Sequence, residues 1–183
     1  MALPRGGVVA GQIIASTLAL PLGLIMVKKI GHPFNSEYAI GAVSLTSSIV
    51  DEHPDISPEY IEERTRQIRA SLKEKYKLYF GNKAQINLKD KSVIVVDDGV
   101  ATGKTLIAAI ELLRKEKVKE IIVAIPVAPK STLRTLQEMT DKLICLESYS
   151  DFHAIGLYYE NFEQVSDEEV KNLLSNAKNA LVT

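Results

Sequence analysis

Two adjacent carboxylates, Asp97 and Asp98, end the apolar run Val93–Val96 and are followed at once by Gly99-Val100-Ala101-Thr102-Gly103-Lys104-Thr105. Deprotonated carboxylates accept hydrogen bonds and donate none, so a neighbouring pair suits a ligand that offers adjacent hydroxyls. The loop suits an anion. Gly99 and Gly103 allow close backbone approach and turn N–H groups inward. The helix that follows adds the positive end of its dipole. Thr102 and Thr105 can donate hydroxyl hydrogen bonds to the same group. A phosphate grip beside a diol grip describes a cradle for a ribose 5-phosphate.

Two other readings compete. Gly103-Lys104-Thr105 ends like an ATP-binding P-loop, but that motif needs four residues between its first glycine and Gly-Lys-Thr, and Gly99 leaves three. The required position is Asp98, whose charge would oppose the phosphates. A kinase or ATPase is therefore disfavoured, and ATP hydrolysis dependent on Lys104 would revive it. The plainer alternative is an acidic turn capping a helix.

The elements that must position this loop follow from periodicity. Short apolar runs alternate with helix-period segments, the pattern of a parallel sheet flanked by helices. Strands are expected at Leu22–Val27, Ala39–Leu45, Val93–Val96, Ile121–Pro126 and Leu143–Leu146. Helices are expected at Gly7–Ala19, Pro58–Tyr79, Gly103–Lys117, Ser131–Thr140 and Asp167–Lys178. Ser57 before Pro58 reads as an N-cap, Gly81 and Asn82 as a stop, and Ser166 with Glu169 as a capping box. Gly31–Ser36 reads as a turn. The polar, aperiodic stretch between Gly41 and Pro58 reads as a loop, and Ser44–Asp55 within it is a candidate for a segment that closes over a site. In the absence of repeats or low-complexity linkers, one domain over residues 1–183 is expected, with hood elements from 147–183.

The 183 residues carry 22 basic and 23 acidic side chains, interspersed, for a net charge of −1. Without a basic block, nothing announces a nucleic-acid or membrane partner, and no run reaches the length of a membrane span. Cys145 is the single cysteine and lies in an apolar run, so a buried structural thiol and a reduced, cytoplasmic setting are expected.

Val93–Thr105 resembles the signature by which type I phosphoribosyltransferases bind phosphoribosyl pyrophosphate (PRPP): a hydrophobic strand, two acidic residues, and a loop ending Thr-Gly-x-Thr. The resemblance implies an α/β fold with a mostly parallel twisted sheet and a small C-terminal hood. It implies transfer of ribose 5-phosphate from PRPP to a nitrogen of a base, a purine among the candidates, with release of pyrophosphate. Asp97 and Asp98 would then hold the ribose 2- and 3-hydroxyls, and Gly99–Thr105 the 5-phosphate. Mg²⁺ would arrive with PRPP and touch Asp97 or Asp98 through water.

Other stretches extend the likeness over nearly the whole chain, toward a poorly characterised subgroup. Ala2-Leu3-Pro4-Arg5-Gly6-Gly7-Val8 resembles the pyrophosphate loop, with Arg5 as a forked cationic donor beside the Gly6 and Gly7 amides. Lys28 and Lys29, read as the end of the second strand, resemble the basic pair that neutralises pyrophosphate, so Arg5 and Lys29 join the candidate catalytic residues. In Asp151–Phe162, Phe152 resembles the residue that stacks on the base, and Glu160 the acidic residue near the metal. The likeness departs in two places. The first strand is very short, so a truncated or misassigned start, or a homodimer partner completing that edge, is expected. The segment after Lys28-Lys29 matches no well-known catalytic loop. A non-catalytic module that senses PRPP or a nucleotide remains the alternative function. Nucleic-acid binding at low salt would favour it; turnover with any base would favour the enzyme.

Overall fold

In the computed structural model, which describes residues 1–179, two sheets share one frame of helices. In chain order the elements are α1 (Gly7–Thr17), β1 (Val27–His32), β2 (Asn35–Ser44), β3 (Ser48–Val50), α2 (Pro58–Phe80) and β4 (Ser92–Val96), followed by α3 (Lys104–Lys115), β5 (Glu120–Pro129), α4 (Lys130–Met139), β6 (Lys142–Tyr149), a 3₁₀ turn (Ile155–Tyr158) and α5 (Asp167–Asn179). Strands β4, β5 and β6 form a parallel sheet in that order, and β1, β2 and β3 form an antiparallel one. No helix among the described residues is long and apolar enough to cross a membrane.

The central strand β5 shows why the parallel sheet forms here. Ile121, Val123, Ile125 and Val127 are buried and alternate with half-buried neighbours. The first three pack with Val93 and Val95 against Leu106, Ile110 and Leu113 of α3 and Leu136 of α4. A second core joins Val8 and Ala15 of α1, Ile30, Ile40 and Val43 of the antiparallel sheet, Ile68, Leu72 and Tyr79 of α2, and Val170, Leu174 and Ala177 of α5. Helix α2 begins as expected, with the Ser57 side chain accepting from the Tyr60 N–H, and Gly81 caps its end at φ 63°. The capping box of α5 also forms: the Ser166 N–H donates to Glu169 at 2.6 Å and the Glu169 N–H to Ser166 at 3.2 Å.

The short N-terminal ribbon is paired on both sides within the chain. Ala2 makes parallel bridges to Val96 and to Leu24. The Leu3 N–H donates to the Val96 carbonyl, the Val96 N–H to the Met1 carbonyl, and the Ile25 N–H to the Ala2 carbonyl, each at 2.9 Å. The edge expected to need a partner subunit is therefore covered by Leu22–Met26. That segment is buried, but it is not the regular strand expected at Leu22–Val27. Its partner ribbon is too short for a ladder, and regular pairing starts at Val27, where β2 is available.

Two further expectations change as a result. Lys28 and Lys29 lie inside β1, opposite Val43 and Ala42, rather than at the end of a parallel strand. Consecutive strand residues point to opposite faces, so the pair cannot act together on one surface. The stretch after Gly41 is also more ordered than a loop. Its β3 pairs back onto β2, and the intervening turn is tied to the end of α3. There the Ser47 hydroxyl donates to Glu116 at 3.3 Å and Lys115 Nζ donates to the Ser48 carbonyl at 2.7 Å. At 1.5 Å rise per residue, the far end of α3 lies about 18 Å from the loop that opens it. Ser44–Ser48 therefore does not close over that loop. Cys145 is half-buried rather than buried, because β6 is an edge strand; burial still pushes its thiol above the usual range.

Candidate functional site

Parallel pairing of Ala2 with Val96 sends two loops out of the same edge of the sheet, Pro4–Gly7 from the first ribbon and Asp97–Gly103 from β4. They touch. A Cβ placed on Gly6 would lie 1.7 Å from Oδ2 of Asp98, and one on Gly7 would lie 2.7 Å from the Val96 carbonyl and 2.8 Å from Cα of Asp97. Only glycine fits at either position without a shift. The Pro4–Arg5 peptide that leads into Gly6 is cis.

The acidic pair is half-buried. The Asp98 N–H donates to Oδ1 of Asp97 at 3.0 Å, which fixes the first carboxylate over the backbone of the second. Burial, and then the Asp98 charge, pushes Asp97 up to about 8. Burial also raises Asp98. Two desolvated carboxylates side by side form a site that gains from hydroxyl donors or a metal-bound ligand.

Behind the pair the loop is held from two sides. The Val100 N–H donates to the Val127 carbonyl at 2.9 Å, and the Thr132 hydroxyl of α4 donates to the Ala101 carbonyl at 2.7 Å. Among the described residues, the N–H groups of 101–105 have no backbone acceptor, which leaves them as donors at the start of α3. Thr102, Lys104 and Thr105 are exposed there. Gly103 caps the helix at φ 75°, and a Cβ on it would meet the Thr132 methyl at 2.8 Å. Gly103→Ala should therefore destabilise the protein by about 1–3 kcal/mol in thermal unfolding. In a Thr132→Ser background, which removes the methyl and keeps the hydroxyl, the same change should cost measurably less. Equal costs in both backgrounds would contradict this packing account.

Arg5 brings in residues that the sequence reading missed. Its Nη1 lies 3.8 Å from Oδ1 of Asp167, the first residue of α5. The same oxygen accepts from the Tyr79 hydroxyl and lies 3.8 Å from Lys75 Nζ. The hydrogen bond from Tyr79, then Lys75 and Arg5, hold the Asp167 carboxyl below the usual range. In the sequence Asp167 is legible only as a helix start, and nothing local pairs it with the first loop.

Of the stretch expected as a hood, 147–183, residues between Ile155 and Val165 supply the other walls, while α5 packs into the second core; residues 180–183 lie outside the described residues. The Tyr159 hydroxyl donates to the Asp98 carbonyl, and Ile155 packs where a Cβ on Gly99 would fall. A cleft of about 590 Å³ opens beside Arg5, Gly6 and Asp98, with Val9 and Ile13 of α1 on one side and Tyr159 and Phe162 on the other. Phe152 lies elsewhere: it stacks on Tyr158, which also stacks on Tyr149. Glu160 lines a neighbouring cleft with Val127, Tyr149 and Tyr159. The dense aromatic signal in Tyr149–Phe162 thus divides between a ring stack and the cleft wall. Among the described residues no cluster of three or more metal-ligating side chains occurs.

With this geometry in place, the likenesses to known proteins are specific. The model of the phosphoribosyl transferase domain matches residues 1–162. Two Mycobacterium tuberculosis proteins, from strains CDC 1551 / Oshkosh and ATCC 25618 / H37Rv, each bear the name "Putative phosphoribosyl transferase". Each is 32% identical to this chain over 184 residues, covering 97% of the chain and 41% of its own length. The chain therefore spans less than half the length of these relatives. The crystal structure of TT1426 from Thermus thermophilus superposes with a TM-score of 0.84 at 32% identity, covering 94% of this chain and 84% of that one.

Proposed function

The chain belongs to the phosphoribosyl transferase domain family, and from that premise we propose that it transfers ribose 5-phosphate from PRPP to a ring nitrogen of a base, releasing pyrophosphate. The observation that carries the proposal is the contact of Gly6 and Gly7 with Asp98 and Asp97. It sets the glycine loop against the two carboxylates, with Arg5 on the cleft that Asp98 also lines, as a ligand bearing both a diol and a second phosphate group requires.

In this reading Asp97 and Asp98 accept from the ribose 2- and 3-hydroxyls. The N–H groups and hydroxyls of Gly99–Thr105 hold the 5-phosphate, and Arg5 with the Gly6 and Gly7 amides holds the pyrophosphate. The C1–oxygen bond to pyrophosphate breaks, the ring nitrogen's lone pair forms the new bond to C1, and the nitrogen's proton leaves. Positive charge develops on the ribose next to the acidic pair while negative charge collects at Arg5. Catalysis then works chiefly by positioning and fixed charge. The cleft lined by Tyr159, Phe162, Val9 and Ile13 admits the acceptor base, with Phe152 and Glu160 in the adjoining hood.

The donor set also fits Mg²⁺. This ion keeps most of its waters and needs few carboxylates, which agrees with two acidic side chains and no larger ligand cluster among the described residues. Bound with PRPP, it would neutralise pyrophosphate charge, and Asp97 or Asp98 would hold it through water.

A screen of purine and pyrimidine bases for PRPP-dependent pyrophosphate release tests the proposal. Release that needs one base supports it. Bound PRPP with no turnover on any base would leave the non-catalytic sensing module instead.

A further inference from the structure

We propose that Lys75 is a further cation on the pyrophosphate side of the site, held beside Arg5 by Asp167. The inference rests on reading Arg5-Gly6-Gly7 as the pyrophosphate loop, and it adds a residue from a different part of the chain. Arg5 Nη1 and Lys75 Nζ each lie 3.8 Å from the same oxygen, Oδ1 of Asp167, so the two cations stand within twice that distance of each other.

Each member is anchored. The Tyr79 hydroxyl donates to that oxygen, and Tyr79 is buried in the core shared by α2 and α5. Lys75 lies one turn earlier on α2, with its Nζ 5.9 Å over the Tyr79 ring. Asp167 is fixed by the capping box that starts α5. Arg5 meets Asp167 through one Nη only, which leaves its other N–H donors for a ligand.

Arg5 and Lys75 place two cations on one carboxylate oxygen at the corner where α2 and α5 meet the first loop. Lys28 and Lys29 face opposite sides of β1 and cannot supply such a corner as a pair.

The alternative is that Lys75 merely braces α2 against α5. The two roles separate because ribose 5-phosphate lacks the pyrophosphate group. Wild type, Lys75→Gln and Lys75→Arg would each be titrated with magnesium pyrophosphate and with ribose 5-phosphate. Lys75→Gln should weaken pyrophosphate about tenfold and leave ribose 5-phosphate unchanged. Lys75→Arg, which keeps the charge, should stay within about twofold of wild type. Unchanged pyrophosphate affinity in Lys75→Gln overturns the inference, and so does an equal loss of both ligands, which is the mark of a structural brace. Wild-type protein that binds pyrophosphate but not ribose 5-phosphate would overturn the 5-phosphate cradle while the Lys75 comparison still stands. Wild type that binds neither would overturn both.

Discussion

Replacing Asp97 by Asn should stabilise the ligand-free protein at neutral pH while weakening its affinity for PRPP. Burial and the neighbouring Asp98 charge raise Asp97 from 3.8 to about 8, so the folded state holds a proton that the unfolded chain releases. A carboxyl raised on folding contributes stability at low pH that is lost as pH rises from its unfolded value toward its folded one. The wild-type protein should therefore lose stability between about pH 4 and pH 8. Each pKa unit is worth about 1.4 kcal/mol, and allowing for the charge shared with Asp98, the variant should gain roughly 2 kcal/mol at pH 7. Asn keeps an oxygen for the Asp98 N–H, so the local backbone contact survives. Chemical denaturation of both proteins from pH 5 to pH 8 checks this. The wild-type stability should fall with pH more steeply than that of the variant. A variant less stable than wild type at pH 7 would show that the carboxylate is not strained in the empty site.

The second large effect separates two neighbouring glycines. A methyl on Gly6 would fall on the carboxylate of Asp98, the movable end of a side chain. Gly6→Ala should fold and melt close to wild type, because Asp98 can rotate aside, but the acidic pair would no longer face the ligand. Displacement of a binding group by about 1 Å can cost a hundredfold, so PRPP affinity should fall on the order of a hundredfold. A methyl on Gly7 would meet backbone, the Val96 carbonyl and Cα of Asp97. Backbone cannot rotate away, so Gly7→Ala must push α1 off the sheet and should cost about 1–3 kcal/mol of stability. Melting curves beside PRPP titrations of the two variants decide it. The same pattern in both variants would contradict the packing described here.

The parts of this fold legible in the sequence are those set by local chemistry. Ser57-Pro58 and Gly81 mark α2 because capping and stopping are short-range effects. Val93–Thr105 reads as strand, acidic pair and anion loop because each step needs its residue type at that spacing. The parts that were not legible depend on distant partners. Val27–His32 carries two lysines and a glycine and looks unlike a strand; it becomes one because Asn35–Ser44 folds back on it. Arg5 meets Asp167 from the opposite end of the chain, and no periodicity records that contact. The ring-rich segment near Phe152 announces an aromatic layer. It does not say that Tyr159 and Phe162, rather than Phe152, line the cleft beside Asp98, because that depends on how the 3₁₀ turn packs onto Gly99.

The most direct test of the central claim is calorimetric titration with PRPP in Mg²⁺, with ATP as the control, on wild type and on an Asp97→Asn/Asp98→Asn variant. PRPP should bind wild type, ATP should not, and the variant should lose on the order of 3 kcal/mol of PRPP binding with the two charge-assisted contacts. ATP binding with PRPP excluded, or PRPP binding unchanged in the variant, would contradict it.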